Sequence, residues 1–169
     1  MPDVRPESAL DQAAIRRVHE LAFAPSAGEA RLVDELRKAG DLVPELCLVA
    51  VDDDQVVGHI AYSRARLESG HEVLSLAPMG VLPDRQRSGI GSALVRDSLA
   101  RAAATDFPLV VVLGHPEYYP RFGFEPAAPL GVLDPYGAPA EAWMAQRLPR
   151  YVPEARGLVT YPEAFALVD

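Results

Sequence analysis

Ile15, Val18, Leu21 and Ala22 recur at helical spacing with charged residues between them, which predicts a first helix. Ser8-Ala9-Leu10-Asp11 precedes it and reads as a capping box, with Asp in place of the commoner Glu. The helix should fade near Phe23-Ala24-Pro25. Leu32, Val33 and Leu36 share one face of a second, shorter helix over 29–39, closed by Gly40. The unbroken apolar run from Leu46 to Val51 predicts a buried strand. Asp52-Asp53-Asp54 is a turn, and Gln55 to Tyr62 returns as the partner strand of a hairpin. Val4-Arg5-Pro6 fits a short edge strand. Val73 to Leu82 is a third long apolar stretch. Pro78 interrupts it and removes a ladder donor, which predicts a bulge.

Residues 89–104 carry the strongest helical pattern. Leu94, Val95, Leu99 and Ala102 line one face, with Arg96, Asp97 and Arg101 turned away. Leu109 to Leu113 is a five-residue buried strand. Trp143 to Leu148 and Leu158 to Tyr161 are weaker strand candidates. Ala140-Glu141-Ala142 leaves a helix open for the Trp143 segment. The order of elements predicts an α/β domain with a mixed sheet, antiparallel early and parallel around the 89–104 helix.

A chain of 169 residues makes one ordinary domain, and no linker is long enough to divide it. With 49% apolar and 24% charged residues the chain is globular, not disordered. No apolar run approaches the ~20 residues of a membrane span. Met1 to Arg5 lacks a basic-then-apolar export signal. Cys47 is the single cysteine, which excludes an internal disulfide and a multi-cysteine zinc site. No His, Asp and Glu cluster has metal-ligand spacing, so no metal is expected. A cytoplasmic location is the default. A net charge of −8 lacks the positive field that draws nucleic acid or anionic membranes, so neither is an expected partner. Ten of the sixteen prolines follow Phe107, which predicts loops and short extended pieces over the last third. Of the sixteen basic residues only Lys38 is lysine.

The stretch that carries chemistry runs from Met79 to Leu94: a strand, a turn, then a helix opening on Gly89-Ile90-Gly91. A helix N-terminus offers free N–H groups and a partial positive charge, and glycine lets a phosphate approach the backbone. Arg85 and Arg87 add local positive charge. Binding of a pyrophosphate is the chemistry implied; the bland alternative is a glycine that merely permits close helix packing. A P-loop would need Gly-Lys-Ser/Thr, whereas the lysine is at position 38. A dinucleotide fold would need a third small residue where Leu94 stands, and an earlier place in the chain.

Gln86-Arg87-Ser88-Gly89-Ile90-Gly91 matches the Gln/Arg-x-x-Gly-x-Gly/Ala signature of the GNAT family, the acetyl-CoA-dependent N-acetyltransferases. Tyr119-Pro120-Arg121-Phe122-Gly123-Phe124 resembles that family's Tyr-x-x-x-Gly-Phe. The resemblance covers residues 4 to about 126, leaving 127–169 as a proline-rich extension. The whole chain also looks like the bacterial YhbS-like branch, including Pro135-Tyr136-Gly137. The resemblance implies one GNAT domain over 1–169, with a mixed sheet whose strands 73–82 and 109–113 splay at the cofactor. It implies that backbone groups of Met79, Gly80 and Val81 pair with the pantetheine and acetyl carbonyl of acetyl-CoA. Backbone N–H groups of Arg87, Ser88, Gly89, Ile90, Gly91 and Ser92, after Gln86, would cradle the pyrophosphate.

The acetyl group would pass by direct attack to an amine acceptor in a ternary complex, with Tyr119 as general acid for the departing thiolate. Homodimers are common in the family. Some members carry a Glu on the strand before the motif, but Ser75 stands there, so the general base is open among Glu72, Glu29 and His115. His19 and His59 read as structural, Cys47 as a core residue and Tyr118 as packing or a substrate-side wall. A non-catalytic acyl-CoA-binding module on the same fold is the alternative from another class.

Overall fold

The computed structural model describes residues 2–168. Strand β1 (Asp3–Pro6) leads through a 3₁₀ turn at Ala9–Asp11 into α1 (Gln12–Ala22). The capping expectation holds: the Ser8 backbone N–H donates to Asp11 Oδ2 at 2.8 Å. Arg5 also donates to Asp11, and this hydrogen bond holds the Asp11 carboxyl down at about 2. Ile15 and Val18 of α1 are buried, but Leu21 is 41% exposed. His19 takes its place, because positions 15, 18, 19 and 22 make one helical face. Helix α2 (Gly28–Ala39) buries Leu32, Val33 and Leu36 and ends at Gly40 with φ 75°, the left-handed closure that glycine favours. Lys38, in its last turn, is exposed, with Nζ 3.4 Å from Glu35 Oε1.

Strand β2 (Leu48–Asp52) begins two residues later than the apolar run, since Pro44–Leu46 forms a 3₁₀ turn. Strand β3 (Gln55–Leu67) runs beyond Tyr62, and β4 covers Glu72–Val81. Helix α3 spans Ile90–Ala102, and β5 spans Leu109–Leu113. Then come two-residue strands β6 (Glu125–Pro126) and β7 (Val132–Leu133), followed by β8 (Trp143–Arg147), β9 (Gly157–Thr160) and a last turn α4 (Ala164–Leu167). Trp143 therefore opens a strand; Ala140–Ala142 makes only one 3₁₀ turn before it.

The ladder order is β1-β2-β3-β4-β5-β8-β6, with β9 pairing β3 and β7. β1–β2 and β2–β3 are antiparallel, whereas β4 pairs β5 in parallel at Leu74 with Val110 and Ser75 with Val111. This is the mixed sheet the element order predicts. The chain forms two compact units. The first holds residues up to Ser63, Ala77–Arg101 and the segment from Pro162; the second holds Arg64–Leu76 and Ala102–Tyr161.

In the first unit α3 packs against β3. A Cβ at Gly58 would stand 3.1 Å from both Ile90 Cγ2 and Leu94 Cδ1, so glycine sets the helix-to-sheet distance. Tyr62 Oη donates to Ser98 Oγ at 2.8 Å, and Ser98 Oγ donates on to Val95 O at 3.0 Å. In the second unit Leu67, Val73, Leu109, Val111, Val132, Trp143 and Val159 share one core. Trp143 Nε1 donates to Val132 O at 2.9 Å, so the indole N–H is satisfied in that core.

Candidate active site

In the first unit β4 ends at Val81, and Pro83–Arg85 turn the chain toward α3. Gln86 Nε2 donates back to Val81 O at 3.0 Å and ties the turn to the strand end. Ser88 Oγ donates to Arg85 O, and Arg85 pairs with Asp52. Arg87 and Gly89 both lie in the left-handed region, at φ 64° and 89°. Turns of that kind direct successive backbone N–H groups into one concavity, which favours an anion. The helical ladder of α3 carries Ala93 N–H to Gly89 O at 3.0 Å, and its first turn adds the positive end of the helix dipole. Side chains 86–88 are exposed, while Ile90 is buried and anchors the helix start. Met79 is half-buried; Gly80 and Val81 are buried.

In the second unit Tyr119 is 8% exposed and opens a 3₁₀ turn, Tyr119–Phe122, that Gly123 closes at φ 99°. Its ring lies over Gly114, where a Cβ would come within 2.8 Å of Cδ2. Phe124 and Tyr118 meet the ring edge-on at 5.6 and 5.1 Å. Burial, and secondly Tyr118, push the Tyr119 phenol up to about 12. The hydroxyl therefore stays protonated near neutral pH and keeps a proton to donate. Tyr118 also faces Phe122 and carries Arg121 over its ring, so its aromatic contacts are packing contacts. His115 is exposed and its carbonyl accepts from Tyr118 and Tyr119 N–H. Glu29 accepts from Ser26 Oγ at 3.0 Å, and Glu72 lies exposed, 3.9 Å from Arg66. None of the three candidate bases is buried.

The chain is similar to proteins named as acetyltransferases. The acetyltransferase (GNAT) domain family matches residues 44–126. The uncharacterized N-acetyltransferase YjhQ of Escherichia coli is 38% identical over 145 residues, 82% of this chain and 80% of YjhQ. The chain belongs to the GNAT family. The uncharacterized N-acetyltransferase YhbS of E. coli is 33% identical over 96% of this chain and 97% of its own length. The crystal structure of YhbS with CoA superposes at a TM-score of 0.89, with 31% identity over 98% of this chain and 92% of that one. A GNAT acetyltransferase from Brucella melitensis, crystallised with acetyl-CoA, superposes at 0.80, with 35% identity over 98% of each chain. Both the fold class and the family resemblance are thereby shown. Among the described residues no group of three or more His, Cys, Asp or Glu could hold a metal ion, and no helix is long and apolar enough to cross a membrane.

Sequence reading missed a buried polar line in the first unit. His19 of α1 and His59 of β3 are both fully buried. His19 Nε2 and His59 Nδ1 are 2.9 Å apart, and His59 Nε2 is 2.7 Å from Glu7 Oε1. Arg37 of α2 pairs with the same carboxylate. Burial raises the Glu7 carboxyl, but His59 and Arg37 outweigh it and the group stays below the ordinary carboxylate range. Burial, then the charges of His59 and Arg37, lowers His19 to about 3; burial also lowers His59 against the pull of Glu7.

The tautomers follow by elimination. A carboxylate only accepts, so His59 Nε2 carries a proton and Nδ1 is bare. His19 Nε2 then carries a proton and His19 Nδ1 is a bare lone pair. That Nδ1 is buried and has no hydrogen-bond partner. It stands against Gly80, where a Cβ would lie 2.9 Å away. A buried acceptor left unpaired costs about 1–3 kcal/mol, which an apolar side chain at position 19 would avoid. The available signal was the helical face 15-18-19-22, which places an imidazole in the core.

Proposed function

We propose that this protein transfers an acetyl group from acetyl-CoA to an amine. The observation that carries the reading is the left-handed pair Arg87 and Gly89 at the start of α3, in a chain that superposes on proteins crystallised with CoA and acetyl-CoA. Backbone N–H groups from Arg87 to Ser92 cradle the pyrophosphate. Met79, Gly80 and Val81 present backbone to the pantetheine as an added strand would. Gln86 holds the Val81 carbonyl, and the Val81 N–H is the donor we assign to the thioester oxygen as it gains charge.

The amine must be neutral to attack, and a free amine has a pKa near ~10. Its nitrogen forms the C–N bond as the C–S bond breaks, and the thiolate takes a proton. Tyr119, protonated and positioned by its ring contacts, is the donor we assign to that proton.

The test is incubation with acetyl-CoA and a panel of primary amines, read by thiol release. Amine-dependent release is expected. Ser75 is buried on β4 at the position where the family resemblance would place a carboxylate, so a second reading is a CoA-binding module without turnover. CoA binding with no release from any amine would establish that reading instead.

A further inference from the structure

We propose that the Glu7–His59–His19 line takes the proton an amine must shed, with His19 Nδ1 beside Gly80 as the receiving atom. This rests on the acetyl-transfer reading above. An ammonium loses two protons on becoming an amide: one ends on the sulfur of CoA and one is released. The line carries the released one. The proton arrives on His19 Nδ1, the His19 Nε2 proton moves to His59 Nδ1, and the His59 Nε2 proton moves to Glu7 Oε1. Both imidazoles finish neutral in the opposite tautomer. Glu7, 11% exposed and paired with the partly exposed Arg37, passes the proton to water.

Three observations point this way. The line ends on an acceptor rather than a donor, as a proton-receiving group requires. It ends at Gly80, on the strand segment assigned to the cofactor, and only glycine leaves Nδ1 its place there. Neither imidazole holds a charge of its own, so a proton entering the line is handed on. The charged and titratable groups around it are Glu7 after β1, Asp11 before α1, Arg37 on α2, and Glu45 and Cys47 before β2. Burial pushes the Cys47 thiol up to about 12, so it stays neutral.

The test is His19→Gln, whose amide N–H still donates to His59 but whose oxygen takes no proton. With alkyl amines near neutral pH, kcat should fall by about 10²–10⁴. The KM for acetyl-CoA and the CoA affinity should hold. The deficit should shrink as pH rises toward the pKa of the amine, and for weakly basic amines that arrive neutral. An equal deficit at every pH and with every amine would mean a packing role and would overturn the relay, as would parental rates. A parent that releases no thiol with any amine overturns the acetyl-transfer reading itself. Should the variant not fold, ¹⁵N histidine spectra of the parent decide the matter. The relay requires a proton on His19 Nε2 and none on Nδ1, and the reverse tautomer would refute it.

Discussion

The buried histidine pair should make the protein acid-labile above the range where its carboxylates titrate. In the unfolded chain each imidazole takes a proton near pH 6.5. In the folded chain His19 does not until about pH 3, and His59 is displaced in the same direction. Between those values the unfolded state binds more protons, so stability falls as pH falls, by about 1.4 kcal/mol per pH unit for each such group. For His19 the full interval amounts to roughly 5 kcal/mol, the whole stability of a modest domain.

The carboxylates act lower down. Glu7 has an ordinary value of 4.5 and Asp11 of 3.8, and both lie lower in the fold, so their contribution is complete above those values and is lost beneath them. The window from pH 6.5 to 4.5 therefore belongs to the histidines, and His19 alone should remove roughly 3 kcal/mol there. Urea unfolding at pH steps from 7.5 to 4.5 measures this directly. His19→Gln should flatten the slope by one proton. Constant midpoints across the window, or an unchanged slope in the variant, would refute the tautomer assignment and the burial argument together.

Three further outcomes are expected. Gly91→Glu places a carboxylate in the first turn of α3, a favourable position for the helix but not beside a pyrophosphate. Melting should be unchanged while calorimetric CoA affinity drops at least tenfold, on the order of 1.4 kcal/mol. Tyr119→Phe keeps the ring against Gly114 and Phe124, so it should lower kcat by about 10²–10⁴ with little change in the KM for acetyl-CoA; parental turnover across pH would make Tyr119 a packing residue. Gly58→Ala presses a methyl on Ile90 and Leu94 and should cost about 1–3 kcal/mol in denaturant melts, weakening CoA binding as the start of α3 moves.

The phosphate-binding turn was legible because its chemistry is local. Gln86 to Gly91 are contiguous, and glycine at 89 is the residue a left-handed turn demands. The apolar run from Leu46 gives no sign of the 3₁₀ turn that Pro44 starts, so β2 begins at Leu48 and not at Leu46. The length of β3 was hidden by Ser63-Arg64, which ends the apolar run although the ladder continues to Leu67 on β9. Trp143 was ambiguous because Ala140-Glu141-Ala142 favours a helix. The tie was broken by a distant partner, since all five residues of β8 pair with β5. The proton line was out of reach for the same reason. Glu7 follows β1, His19 is on α1 and His59 on β3, 40 residues apart for the histidine pair and 52 for Glu7 and His59, and no local pattern joins them.

Lys38 gives the chain a practical property. It is the single lysine, it projects from the end of α2, and Glu35 holds it only loosely. An amine-reactive dye or biotin ester will therefore find one lysine side chain besides the α-amino group, away from the α3 turn in sequence. The same scarcity limits lysine acetylation by the thioester to position 38.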